Sequence, residues 1–290
     1  MSLTARPLWC VRLYGQPDGG SGSRQEAGDT PPSDSATPSI FVLGGNGFVG
    51  SAICEVAVAA GVNVTSYNRS GRPAWFEKLG QADKEQHWVS KVDWKKGDIF
   101  EPDALQAAMA GSDAVISAIG AFGSHEFMLK MCGQATIEGV AAAKVVGSVK
   151  RFAFVSAHDY GWPVRKLVAG YYDGKFAAEE AITAEFGAAG VSLRSPAVFG
   201  VRKPGTSGPD MDIPLQLLGK PLRALASVLP SPLQSVPLVN LVAVPWIDVR
   251  DVATAAVRAA TDTTICGPVL DAFDMAALGS EGAVRLPGAG

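Results

Sequence analysis

Tyr171 and Lys175 lie four residues apart in GYYDGKFAAEEAITAEFGAAG, a run whose apolar spacing predicts a helix. Side chains at i and i+4 share one helix face. A lysine ammonium beside a tyrosine hydroxyl favours the phenolate, which equips the tyrosine to exchange a proton with a carbonyl or an alcohol. Ser156 stands fifteen positions before Tyr171, at the end of an apolar run, and its hydroxyl would orient the same substrate. Ser156, Tyr171 and Lys175 are therefore the candidate catalytic set. The residues leave a second reading open, in which Tyr171 packs in the core and Lys175 only hydrogen-bonds a nicotinamide ribose. Tyr160 and Tyr172 are rival tyrosines, but the residues four places on are Val164 and Phe176.

The partner for such proton chemistry is suggested by VLGGNGFVGSAIC, residues 42–54. Gly44, Gly47 and Gly50 form GxxGxxG between a predicted strand and a predicted helix. An early glycine there permits a tight turn, the middle one lets a pyrophosphate approach the backbone, and the last lets helix and strand pack closely. Phe48 and Val49 open the helix, whose first amides carry partial positive charge toward the phosphates. The expected ligand is a nicotinamide dinucleotide. The next strand ends in YNRSGR, with Arg69, Ser70 and Arg72 and no carboxylate. An acid at this place would bind the ribose 2′-hydroxyl of NAD; arginine and a hydroxyl suit a 2′-phosphate, so NADP(H) is favoured over NAD(H). Asp98 and Ile99, closing the third strand, would flank the adenine. Gly120, in SAIGAFG, would pass beneath the cofactor where the fourth strand ends, and Pro196, leaving the sixth strand, is the last expected cofactor contact.

These residues need a scaffold that brings strand ends together. From residue 39 the chain alternates short β-like runs with helical ones: SIFVLGG, VNVTSYN, WVSKVDWKKGD, AVISAIG, RFAFVSA and VSLRSPAVFG read as six strands. Helices fall between them, including a long one over about 126–146, and no hairpin signal appears. The fold class is α/β, a doubly wound parallel Rossmann sheet with helices on both faces and a small C-terminal substrate or docking lobe. Residues 1–38 read as a disordered N-terminus resembling a transit peptide, 39–200 as the dinucleotide-binding domain, 201–277 as the lobe with the last sheet elements, and 278–290 as a tail. The apolar segment from Ile213 to Leu229 would wall a substrate pocket.

Bulk composition bounds the function. The 290 residues are 47% hydrophobic and carry a net charge of −3 with no basic block, so nucleic acid is excluded as an expected partner. The four cysteines are scattered and the three histidines lack ligand spacing, so no metal site is expected. Residues 224–247 are uncharged, but Pro230, Pro232, Pro237 and Pro245 break them up, and no membrane-spanning helix is expected. The first fifteen residues hold Arg6 and Arg12 and no acid, which loosely fits an organelle transit signal, an ordinary floppy N-terminus being the alternative.

The motifs VLGGNGFVG, NRSG, GDIFEPDAL, RFAFVSA, GYYDGKFAAEEAI, LRSPAVFG and WIDVRDVA together resemble, in order, the atypical short-chain dehydrogenase/reductases, over residues 39–275. The branch most similar includes the NADPH-binding accessory subunit of mitochondrial complex I, and more similar still is a set of organellar proteins containing the fungal coenzyme Q biosynthesis protein and a plastid, plastoglobule-associated plant relative. The resemblance implies a Rossmann domain holding NADP(H) through Gly44, Gly47, Gly50 and Arg69. It also implies a quinone or isoprenoid substrate, an organellar location (mitochondrion before plastid), and for some members a non-catalytic place in a membrane-associated protein complex. The chain departs from active extended relatives at MCGQATIEG, where Gly133 and Gln134 stand about where many carry a structural asparagine, and its substrate lobe is short.

Overall fold

A computed structural model describes residues 37–200, 244 and 246–280. Seven parallel strands make one sheet in the order β3-β2-β1-β4-β5-β6-β9: β1 (Ser39–Leu43), β2 (Asn63–Asn68), β3 (Val92–Lys96), β4 (Ala114–Ser117), β5 (Arg151–Ala157), β6 (Gly190–Ser195) and β9 (Val269–Leu270). A separate two-stranded ribbon pairs β7 (Val198–Phe199) with β8 (Ile247–Asp248). The central strands are covered on both sides, which is why β1, β4 and β5 read as unbroken apolar runs and lie buried along almost their whole length. Strand order reverses between β1 and β4, so the crevice outside their carboxyl ends is the expected ligand site of a doubly wound sheet.

Two helical layers complete the core. On one face lie α1 (Phe48–Ala59) and α8 (Val249–Thr261), packed over Ile40, Val42, Ile116, Val155 and Leu193. On the other lie α3 (Pro102–Met109), α5 (Ala135–Val146) and α7 (Ala169–Phe186), packed over Phe41, Leu43, Phe152 and Phe154. Phe152 and Phe154 are fully buried, each contributing about 2–3 kcal/mol of transfer free energy. Helix α3 begins with proline in its first turn, as expected, and α8 starts at an Asp248 cap whose carboxylate accepts from the Arg250 amide at 2.8 Å. Short helices α2 (Gln81–Gln86), α4 (His125–Leu129), α6 (Val164–Leu167) and α9 (Ala272–Ser280) fill the connections and the end.

Four details differ from the sequence expectations. Strand three starts at Val92, because Trp88–Lys91 form a 3₁₀ turn whose Val89 carbonyl accepts from the Trp94 indole at 2.9 Å. The long helix expected over about 126–146 is broken into α4 and α5 by a π turn at Lys130–Gln134. That turn brings Gly133 against α7: a β-carbon on Gly133 would lie 2.8 Å from the Gly174 Cα. Strand β9 was too short to show a pattern, and α9 extends regular structure beyond residue 277. Of the expected lobe, residues 201–243, including the Ile213–Leu229 wall, lie outside the described residues, as do residues 1–36 and 281–290. Among the described residues no helix is long and apolar enough to cross a membrane.

Candidate cofactor and catalytic site

The loop after β1 is shaped by its glycines. Gly44 has φ +84°, a conformation that side-chain-bearing residues rarely adopt, and its carbonyl accepts from the Gly47 amide at 2.9 Å. A β-carbon on Gly50 would run into that carbonyl, so only glycine lets α1 approach the loop this closely. Helix α1 starts at Gly47 with no side-chain cap and no acidic residue in its first turn. The amides of Phe48 and Val49 are thereby left for a ligand.

Asn46, within the same loop, is buried, and its amide donates to Ser70 Oγ at 2.7 Å and to the Gly71 carbonyl at 3.5 Å. Its Oδ1 is buried with no hydrogen-bond partner among the described residues. Ser70 in turn donates to Asn68 Oδ1 at 3.1 Å. Arg69 is exposed and makes no ion pair or hydrogen bond with the described residues, whereas Arg72 lies 3.7 Å from Glu77 and over the Phe76 ring. At the end of β3, Asp98 accepts from the Phe100 amide at 3.1 Å, its carbonyl accepts from the Tyr67 hydroxyl at 3.1 Å, and Ile99 is buried. An orphaned acceptor, a cradle that a β-carbon would fill and an uncapped helix start together fit a dinucleotide.

Across the strand reversal, Lys175 is 3% exposed and donates to two strand-end carbonyls, Val155 at 2.7 Å and Ile119 at 3.0 Å. Its ammonium lies 4.5 Å from the Phe154 ring centroid and 5.8 Å from that of Tyr171. Gly120 passes directly above, since a β-carbon there would be 3.4 Å from the Lys175 nitrogen. Burial pulls the Lys175 ammonium down to about 8, and the Cys132 and Glu179 charges only partly restore it.

Tyr171 is half-buried beneath Phe122, the two rings stacked 4.8 Å apart at 14°. Burial raises its phenol well above the ordinary range, with Cys132, Tyr172 and Tyr160 adding to the effect. The expected lowering by Lys175 is therefore not the net result. Desolvation dominates, and Tyr171 is held as a neutral phenol.

Ser156 takes a different neighbour. Its hydroxyl is buried and donates to the Glu179 carboxylate, which also receives Arg194 through Nε at 3.1 Å and Nη2 at 2.6 Å. The structure thus brings Tyr171, Lys175 and Gly120 together and ties Ser156 to α7 through Glu179. Pro196 sits in the buried turn between β6 and β7, beside Ala197, whose amide donates to the Tyr160 hydroxyl at 3.0 Å. Sequence reasoning missed Asn46 and Glu179. Asn46 was a spacer inside the glycine motif, with no signal of its own. Glu179 was legible in principle, because it follows Lys175 by four residues and shares its helix face.

Residues 44–189, from the glycine loop through the end of α7, match the family described as NAD(P)H-binding. The chain belongs to that family. An uncharacterized chloroplastic protein of Arabidopsis thaliana is 38% identical over 231 residues, 79% of this NAD(P)H-binding chain and 73% of its own. The MIOREX complex component 2 of Saccharomyces cerevisiae is 35% identical over 29% of this chain and 28% of its own. A 2-alkyl-3-oxoalkanoate reductase of Shewanella oneidensis is 34% identical over 37% of this chain and 25% of its own. Among solved structures, the UDP-glucuronic acid 4-epimerase of Bacillus cereus in complex with NAD has TM-score 0.55 and 18% identity, over 80% of this chain and 77% of that one. That likeness bears out the parallel α/β Rossmann fold. Binding of a nicotinamide dinucleotide follows from the family and fits the loop described above.

Proposed function

We propose that the protein is an NADP(H)-dependent atypical short-chain dehydrogenase/reductase that reduces an apolar carbonyl or quinone-type substrate. The observation that carries this reading is the Tyr171–Lys175 pair, held by α7 at the carboxyl ends of β4 and β5 beside the glycine loop's crevice. A nicotinamide dinucleotide held by the loop of Gly44, Gly47 and Gly50 would, in its reduced form, supply the hydride for the carbonyl carbon. Tyr171, kept neutral by burial, donates its hydroxyl proton to the carbonyl oxygen as that oxygen gains charge. The resulting phenolate is stabilised by the Lys175 ammonium, whose two carbonyl hydrogen bonds fix it beneath Gly120. Ser156 acts from behind: its bond to Glu179, together with that of Lys175 to Val155, staples the end of β5 to α7 at two successive residues.

Arg69, exposed after the end of β2 and without an ion pair among the described residues, supports NADP(H) over NAD(H). The apolar face of Phe122, 70% exposed over Tyr171, supports an apolar substrate. So does the name of the Shewanella relative, which describes a reductase of an alkyl-bearing ketone. The chloroplastic Arabidopsis relative supports an organellar location, and quinone metabolism is the proposed setting. Purified protein with NADPH and a panel of quinones and branched 3-oxo acids should oxidise NADPH, and Tyr171→Phe should abolish it. Absence of turnover with every member of the panel, or turnover that survives the substitution, would remove the catalytic assignment.

A second reading, a cofactor-binding accessory protein of a membrane-associated complex, is favoured by one finding, the similarity to a MIOREX complex component. On that reading the cofactor stabilises the fold by mass action. Lys175→Ala then leaves organelle function intact, while Gly47→Glu lowers protein abundance.

A further inference from the structure

Lys96 closes β3, and the strand register pairs it with Asn68 of β2. Register partners in parallel strands present their side chains to the same sheet face. Asn68 turns its carboxamide to Ser66 at 3.2 Å and to Ser70 at 3.1 Å. Ser66 lies against Gly45 and Cys54, on the α1 side, and Trp94, two residues before Lys96, packs into the α1-side core. Lys96 therefore emerges on the side of the glycine loop. Its Cβ stands 3.4 Å from where a β-carbon on Gly71 would be, next to the turn that carries Arg69 and Ser70. Neither Lys96 nor Arg69 has an ion-pair or hydrogen-bond partner among the described residues. The nearby Lys95 and Arg72 are paired, with Asp93 at 3.6 Å and Glu77 at 3.7 Å. Two unpaired cations at adjacent strand ends repel each other unless an anion joins them.

Asn46 supplies the independent observation. The Ser70 hydroxyl already donates to Asn68, and the Gly71 carbonyl can only accept, so the Asn46 amide nitrogen must face both. The orientation of the carboxamide is fixed by its neighbours, and Oδ1 is left buried without a donor. A buried acceptor of this kind is destabilising until a donor arrives.

We propose that Lys96 and Asn46 complete the adenosine-ribose subsite of the cofactor: Lys96 shares the 2′-phosphate with Arg69, and Asn46 Oδ1 accepts from the hydroxyl that the ribose retains. The assignment rests on the NADP(H) reading above and extends it to two residues outside the glycine-and-arginine pattern. It also explains the chemical types at this corner. A carboxylate would repel the phosphate, whereas a neutral amide offers an acceptor without added charge.

The test is fluorescence titration of the full chain with NADPH and with NADH, in wild type and in Arg69→Met, Lys96→Met and Asn46→Asp. Thermal shifts of the same mixtures give a second readout. Wild type should prefer NADPH, and Lys96→Met should weaken NADPH binding about tenfold while leaving NADH within twofold. The NADPH affinity of that variant should also fall less steeply with added salt. Asn46→Asp is nearly isosteric and keeps an acceptor, but it adds a charge and removes the donor that faces Ser70 and Gly71, so its melting temperature without cofactor is read first. It should weaken NADPH at least tenfold more than it weakens NADH. Equal affinity of wild type for the two cofactors overturns the NADP(H) reading and this assignment together. A wild-type preference that Arg69→Met removes and Lys96→Met leaves unchanged overturns the role of Lys96 alone, and an Asn46→Asp variant of unchanged melting temperature that binds NADPH as tightly as wild type, or loses both cofactors equally, overturns that of Asn46.

Discussion

Replacing Lys175 by methionine should change how stability varies with pH, by an amount the structure sets. The side chain is 3% exposed, and burial lowers its ammonium from an ordinary 10.5 to about 8. A lowering of this size corresponds to about 3 kcal/mol of preferential destabilisation of the charged form in the folded protein. The sign follows from proton binding. Below pH about 8 the lysine is charged in both folded and unfolded chains, and the full penalty is felt. Between about 8 and 10.5 the unfolded chain binds the proton and the folded chain does not, so stability rises with pH. Above 10.5 the penalty is gone. Tyr160 and the Cys54 thiol, each raised to about 12 by burial, also titrate at alkaline pH. They are common to both chains and cancel in the difference. Urea unfolding of wild type and Lys175→Met at several pH values between 7 and 10.5 should show the wild type gaining about 3 kcal/mol relative to the variant. A difference that stays flat would mean that Lys175 is not a desolvated cation beneath Gly120.

Phe122→Ala should uncover Tyr171 and bring its phenol titration back toward the ordinary value, read as the tyrosinate absorbance of the variant minus that of Tyr171→Phe in the same background. Glu179→Gln should destabilise the fold by about 1–3 kcal/mol in urea unfolding, because Arg194 and Ser156 lose a buried charged acceptor, with partial exposure of Arg194 keeping the loss below that of a fully buried pair. Gly50→Ala should lower the melting temperature and eliminate the thermal shift produced by NADPH, since the added methyl meets the Gly44 carbonyl. Gly174→Ala should destabilise by about 1–3 kcal/mol by forcing α7 away from the π turn, measured by the same unfolding curves.

The parts of the fold that were legible in the sequence are those where one physical requirement dominates. β1, β4 and β5 are covered on both faces, so their apolar runs announced them, and Pro102 and Asp248 marked helix starts by their backbone and capping chemistry. The glycine loop was legible because a tight turn and a close helix approach tolerate few other residues. What was hidden depended on contacts far apart in the chain. The π turn at Lys130–Gln134 reflects a crossing with Gly174, some forty residues on, which helical periodicity does not encode. Strand β9 has two residues and takes its identity from pairing with β6. At the candidate site, the proximity of Tyr171 and Lys175 was legible from their spacing on one helix. The commitment of Ser156 to Glu179 was not, because strand spacing gives the face a side chain occupies but not the partner waiting there. The upward direction of the Tyr171 shift was not legible either, since burial of the phenol depends on neighbours such as Phe122, on a loop whose path the sequence leaves open.

The most direct test of the proposed chemistry is transfer of deuterium from NADPH labelled at the reactive nicotinamide carbon to the carbonyl carbon of a branched 3-oxo acid or related apolar ketone. The proposed mechanism predicts labelled alcohol from wild type and a fall of at least about a hundredfold in Tyr171→Phe, with NADPH still bound. Labelled product formed equally well by the variant, or bound NADPH that transfers no label to any ketone tried and reduces no quinone, would contradict it.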